Sequence, residues 1–349
     1  MKHGKVIFLV MAFIAVAGFT FAQAADPYKV YNQYRAMAKA GKYTGTPLQG
    51  KTVGFANIYG TLPFCISVEN NIKDQLKLAG VDLTKGWISM DNQYNSVLGL
   101  KNADIMLSKK PNFFVEFQFD SKVNNIVAAK FGAAKIPLLA IDVPIPGSSF
   151  MGVDNWKVSL MGGHEMSKQI KAKFGGWSGV DMVVLGQFPA GGDVLMLRSE
   201  GFAQALSEDF GVETTDPKIV RFDGGAGQSE QAKAAMDDVL AAHPDAVTIA
   251  VTSVNEQTMA GIIASLQGAG RWDTKNVVVI TLGMDELGQS MIRDGQSDGG
   301  VAFFPEHYGE YVVPAIIATL QGQPIPPYLY VENVIINKSN IDKYYPLKK

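Results

Sequence analysis

One cysteine, four histidines and a charged fraction of 18% are what this 349-residue chain has little of, and each shortage removes a class of function. Cys65 has no second thiol to pair with, which excludes an internal disulfide, and no histidine is placed to activate it as a nucleophile. The 31 Lys+Arg against 33 Asp+Glu give none of the basic excess that releases counterions from phosphates, so no nucleic-acid partner is expected. Dinucleotide and P-loop signatures are also missing: no G-x-G-x-x-G follows the first strand pattern, and no G-x-x-x-x-G-K-[ST] occurs. The pairs Gly191-Gly192 and Gly224-Gly225 lack that spacing and read as turns. His164-Glu165 opens like a zinc-binding helix, but Lys168 stands where the second histidine belongs. Gly176-Trp177-Ser178-Gly179 runs into Val180 and misses the nucleophile elbow, and His243-Pro244-Asp245 reads as a turn. No metal, cofactor or catalytic residue is expected.

What the chain does have is apolar mass, 47% of its residues, enough for a core that needs no staples. Lys2 and Lys5 precede an apolar run over residues 6–19, and Ala22-Gln23-Ala24 is a small-x-small cleavage pattern, so a signal peptide cut near Ala24 is expected. The run is shorter than the ~20 residues of a membrane span. Cleavage would remove two lysines and no acid, leaving 29 cationic against 33 acidic side chains. Residues 25–50 form a polar leader with Tyr28, Tyr31, Tyr34 and Tyr43, to which the sequence assigns no role.

From Lys51 onward, short branched apolar runs alternate with stretches of helical period, the pattern of βαβ units on a parallel sheet. Strands are expected over 52–58, 86–90, 113–117, 136–141, 182–186, 219–222, 246–251, 277–282 and 301–304. Val68, Ile72, Leu76 and Ala79 line one helix face, Phe202, Ala205, Leu206 and Phe210 a second, and Ala232, Met236, Val239 and Leu240 a third. Nine such strands exceed one small sheet, so two doubly wound α/β lobes are expected. In open parallel sheets ligands sit beyond the carboxyl ends of the strands, and here those ends are rich in Asn, Gln, Asp, Gly and aromatics. That mixture suits a small ligand bearing hydroxyls, bonded by planar polar groups and stacked on rings.

Several short motifs, in this order, resemble the ribose- and galactose-binding class of periplasmic solute-binding proteins that serve ABC importers. Val53-Gly54-Phe55 through Thr61-Leu62-Pro63-Phe64 is similar to the family's opening strand and its Asn-Pro-Phe-Phe turn. Ile136 to Asp142 resembles the strand ending in the ligand-binding aspartate, Val153-Asp154-Asn155 the start of the second lobe, and Arg198-Ser199-Glu200-Gly201-Phe202 the R-x-x-G-F motif. His243-Pro244-Asp245 and Asn255-Glu256 complete the set. The resemblance implies a type I periplasmic binding fold in which Phe64 stacks on the ligand, Asp142 accepts its hydroxyls, and Arg198 and Asn255 reach in from the second lobe. On that resemblance the lobes are expected to be joined by three hinge crossings near 141–153, 301–305 and 328–331, the first lobe holding residues 51–153 plus 304–330 and the second 154–303 plus 331–349. Asn255 reads equally well as a helix N-cap. Phe222 is the expected opposing ring, with Thr61, Phe188, Trp156 and Asp285 as further contacts. Three positions depart from the pattern: Val143 follows the aspartate where the family has arginine, Gly283 stands in place of a late aspartate with Asp285 two residues on, and Phe303 replaces a glutamine. Polar contacts exchanged for apolar ones argue against ordinary ribose and for a small polyol, a deoxy sugar or a compact molecule with an apolar face. The expected protein is a periplasmic monomer and not an enzyme, delivering its ligand to a membrane permease. The alternatives are a same-fold sensor for a chemoreceptor or sensor kinase and, less consistent with the sequence, an exported carbohydrate-active enzyme using Asp91, Glu116, Asp120 or Asp142.

Overall fold

A computed structural model describes residues 26–225 and 227–347. The expected signal peptide lies outside these residues. The chain begins with α1 (Lys29–Lys39), then runs β1 (Val53–Asn57), α2 (Pro63–Leu78), α3 (Leu83–Gly86), β2 (Trp87–Asp91), α4 (Ser96–Lys109), β3 (Phe113–Glu116), α5 (Ser121–Ala134), β4 (Leu138–Ile141) and β5 (Ser149–Gly152). It continues as α6 (Asn155–Phe174), β6 (Met182–Gln187), α7 (Asp193–Phe210), β7 (Ile219–Asp223), α8 (Ser229–Ala242), β8 (Ile249–Thr252), α9 (Glu256–Gly268), β9 (Val277–Gly283), α10 (Glu286–Arg293) and β10 (Gly299–Ala302). It ends with α11 (Gly309–Leu320), β11 (Tyr328–Tyr330), β12 (Val334–Ile336) and α12 (Ile341–Tyr344).

Two six-stranded sheets result. The first has the order β11-β5-β4-β3-β1-β2 and the second β12-β10-β9-β8-β6-β7. Every pairing is parallel except β10 with β12. The architecture is the doubly wound α/β pair expected of a type I periplasmic binding fold. Short strands β5, β11 and β12 are not among those the hydropathy pattern marks.

Strand alternation divides the cores. In β3, Phe113 and Val115 face α2, sharing a cluster with Val68, Ile72 and Leu76, while Phe114 turns to Ala103, Met106 and Phe131 on the opposite face. In β6, Val183 and Leu185 pack with α6 and α7, and Met182 and Val184 pack with Met236, Met259 and Ile262 of α8 and α9. Helices α6 and α7 approach closely: a Cβ on Gly163 would stand 2.5 Å from the Ala205 methyl carbon, so only glycine permits the contact.

The polar leader is a helix docked on the first sheet's helices, not an unstructured lead-in. Tyr31 and Ala38 are buried against the main core, Gln75 donates to the Ala38 carbonyl at 3.2 Å, and Tyr43 donates to Gln75 Oε1 at 2.9 Å. The chain passes between the sheets after β5, between β10 and α11, and between β11 and β12. Among the described residues no helix is long and apolar enough to cross a membrane.

Candidate functional site

Residues beyond the carboxyl ends of strands from both sheets meet around one cavity of about 70 Å³. At ~10–15 Å³ per water this is room for on the order of five to seven waters, the bulk of a molecule with about five or six carbons. Its first-sheet wall comes from Ile58 and Phe64 after β1, Tyr94 after β2, Phe117 and Phe119 after β3, and Asp142 after β4. Phe188 after β6, Arg198 on α7, Val254 after β8, Leu282 at the end of β9 and Phe303 after β10 form the other wall.

Asp142 is positioned by backbone geometry. It takes a left-handed conformation, φ 58°, that Asp tolerates better than most residues, and its amide donates to the Met151 carbonyl at 2.9 Å. A Cβ on Gly152 would lie 2.5 Å from Asp142 Oδ1, so the neighbouring strand must carry glycine there. The fully buried Tyr308 donates its hydroxyl to the same oxygen at 3.1 Å. Burial raises the Asp142 pKa to about 6, against the opposing pull of Arg198 and of the Tyr308 bond. Replacing Tyr308 with Phe is expected to move that pKa up by roughly one unit more, because the anion loses a donor. A carboxyl ¹³C titration measures it, and an unchanged midpoint would show that the hydroxyl does not support the charge.

Arg198 is oriented by two acceptors. Its Nε donates to Asn155 Oδ1 at 2.6 Å and its Nη1 to the Val254 carbonyl at 3.0 Å, while its guanidinium carbon sits 5.2 Å from the centre of the Phe303 ring. Among the described residues Nη2 has no hydrogen-bond partner. Burial lowers the arginine's pKa, and the Asp142 charge offsets this. Phe64 meets Phe303 edge-on at 6.4 Å and Tyr308 at 5.7 Å. Phe119 and Phe188, one from each half, stack at 6.1 Å with only 9° between their planes, and the Ser121 hydroxyl donates to the Ala190 carbonyl at 3.4 Å. The halves therefore touch beside the cavity.

Phe64, Asp142, Phe188, Arg198, Asn255 and Phe303 line this cavity, and four expected residues do not. Phe222 shares a buried cluster with Met236 of α8 and Met259 of α9, on the face of its sheet away from the cavity. Asp285 caps α10, accepting from the Leu287 and Gly288 amides at 2.9 and 3.1 Å and from Gln257 at 3.0 Å. Thr61 is exposed, and Trp156 lies 39% exposed on the first turn of α6. Asn255 lines the cavity, but its side chain is a cap: Oδ1 accepts from the Thr258 amide and hydroxyl, and Nδ2 donates to the Gly227 carbonyl at 3.1 Å.

Tyr94, Phe117, Phe119, Leu195 and Gln257 also line the cavity, and the sequence does not single them out as contacts. Tyr94 and Phe119 each lie three residues past a strand end, and it is their rings that set them apart from the polar residues beside them. Glu256 is a further surprise. Its buried carboxylate accepts from the Met284 amide and fills the space beside Gly283, where a Cβ would lie 2.5 Å from Oε2. Burial and the nearby Asp285 raise its pKa well above the usual range.

A family model described as a periplasmic binding protein domain matches residues 53–324. A search of the curated proteins returned no match. Among solved structures, the chain is similar to a Mycobacterium smegmatis protein in complex with β-D-fucofuranose, with a TM-score of 0.72, 16% identity, and coverage of 85% of this chain and 95% of that one. It is similar to an ABC transporter solute-binding protein from Bacillus halodurans C-125 with bound myo-inositol, with a TM-score of 0.70, 15% identity and coverage of 85% and 98%. A third, an ABC transporter periplasmic solute-binding protein from Actinobacillus succinogenes 130z with bound D-allose, gives a TM-score of 0.68, 18% identity and coverage of 84% and 100%. At such identities the likeness is one of fold.

Proposed function

The chain belongs to the periplasmic binding protein domain family, and from that premise we propose that it is an exported protein that captures a small sugar, polyol or sugar-like molecule with an apolar face and delivers it to an ABC importer. The observation that carries this reading is the cavity between the two halves, walled by six aromatic rings and carrying an opposed carboxyl group and guanidinium. Among the described residues, Arg198 Nη2, the second carboxylate oxygen of Asp142 and the Tyr94 hydroxyl have no hydrogen-bond partner, so they are the groups left for ligand hydroxyls. The rings cover C–H faces. A hexose with every hydroxyl buried here would leave several unpaired, at about 1–3 kcal/mol each, whereas a deoxy sugar or short polyol would not.

Capture works through the two halves. Residues 51–153 with 304–330, and 154–303 with 331–349, would move as two bodies about the three crossings. A ligand touching both Asp142 and Arg198 favours the closed arrangement, because only there does it contact both walls. A thermal-shift screen over pentoses, hexoses, polyols and small aromatics identifies the ligand, since one present at 100 times its Kd adds roughly 2.7 kcal/mol of stability. Small-angle scattering with that ligand is then expected to show a smaller radius of gyration than without it. Binding with an unchanged radius would remove the closure step, and a screen without any hit among hydroxylated compounds would remove the ligand class.

A further inference from the structure

The crossing over residues 303–308 separates two cavities. Phe303 lines the ligand cavity and Tyr308 bonds Asp142 within it, whereas Phe304 and His307 line a second cavity of about 380 Å³ behind the crossing. Neighbouring residues thus serve opposite sides of one short segment. The rest of the second cavity comes from α1, which contributes Arg35 and Lys39, from Glu310 and Tyr311 of α11, and from residues of the last crossing and α12.

Its chemistry is that of a built wall. Glu310 is held from two sides, by Arg35 Nη1 at 3.1 Å and His307 Nδ1 at 2.7 Å, and the Arg35 guanidinium covers the Tyr311 ring at 3.5 Å. The Glu310 bond raises the His307 pKa, and among the described residues no hydrogen bond engages that ring's Nε2. Three basic side chains therefore face two carboxylates, Glu310 and Glu332. The Lys39–Glu332 pair, 4.0 Å apart and mostly exposed, is readily displaced. Flat surfaces come from Phe304 and Tyr344, whose ring centres are 6.2 Å apart. Phe304 itself holds a left-handed backbone, φ 53°, that a bulky residue seldom adopts, with its ring stacked on Tyr345 at 5.9 Å.

We propose that this cavity is a second binding site, for a small planar carboxylate whose ring lies against Phe304 and Tyr344 and whose anion meets Lys39 and His307. Because the 303–308 segment is shared, an occupant braces the crossing in the arrangement in which the two halves touch.

Benzoate is the probe, with benzamide as its uncharged isostere. Benzoate at tenfold excess over its Kd is expected to raise Tm by about 2 °C, saturably. The response should persist in Arg198→Ala, which alters the first cavity, and Lys39→Ala or His307→Ala should each weaken binding about tenfold. Lys39 is mostly exposed, so its replacement leaves the fold intact. Benzamide should bind far more weakly. The proposal is overturned if benzoate gives no saturable shift, if benzamide matches it, if the double variant Lys39→Ala/His307→Ala responds like the wild type, or if the response disappears in Arg198→Ala.

Discussion

Replacing Arg198 with Ala is expected to weaken capture of the ligand by about two to three orders of magnitude, on the order of 3–4 kcal/mol. Three losses combine. The ligand loses a charged donor; Asn155 Oδ1 and the Val254 carbonyl lose the groups that now bond them at 2.6 and 3.0 Å; and Asp142, already raised to about 6, loses its opposing charge. Its carboxyl then protonates at higher pH and becomes a weaker acceptor for ligand hydroxyls near neutrality. Arg198→Lys keeps the charge but not the fork that spans two acceptors, and should fall between wild type and Ala. Isothermal titration calorimetry with the screened ligand measures both, and an Ala variant within threefold of wild type would take Arg198 out of the binding wall.

The second large effect is on stability. Glu116, 1% exposed at the end of β3, accepts from Asn92 Nδ2 at 3.1 Å through one oxygen, while the other has no partner among the described residues. Burial pushes its pKa up from 4.5 to about 8, with the Asn92 bond a smaller opposing influence. The folded state therefore holds this proton more tightly than the unfolded state does. The stabilisation is complete below about pH 4.5 and is lost as pH rises through 8. Asp142 acts in the same direction over the lower range, from 3.8 to about 6. Glu116→Gln replaces a group that must ionise with one that stays neutral. Between pH 5 and 8 the variant should lose about 3–4 kcal/mol less stability than wild type in urea titrations. Parallel curves for the two proteins would show that Glu116 is not the buried acid responsible.

The fold could be read from the sequence wherever a period was long enough to register. Runs such as Val277–Gly283, buried at every position, announce a central parallel strand, and Val68, Ile72 and Leu76 fix the face of α2. Helix α1 was missed because its buried positions, Tyr31 and Ala38, are a full two turns apart in an otherwise polar stretch. At the site, Phe64, Asp142 and Arg198 were placed by motif and strand-end position, and they do meet around one cavity. Phe222 was misplaced by the two-residue alternation of strands: it ends a strand, as a binding aromatic would, but on the face that α8 and α9 cover. Asp285 and Asn255 illustrate a different ambiguity, since a carboxylate or amide after a strand is also what the next helix needs as its first-turn acceptor. No local pattern distinguishes the two uses; tertiary position does.

Each sheet receives an edge strand from the final stretch of chain, β11 for one and β12 for the other, and α11 arrives only just before them. A polypeptide leaving the ribosome amino end first thus has both halves unfinished until nearly all of it has been made. Such late, distant pairings make folding slow and concerted. Ending translation after Ala302 would therefore yield two incomplete halves, not one sound lobe and one missing.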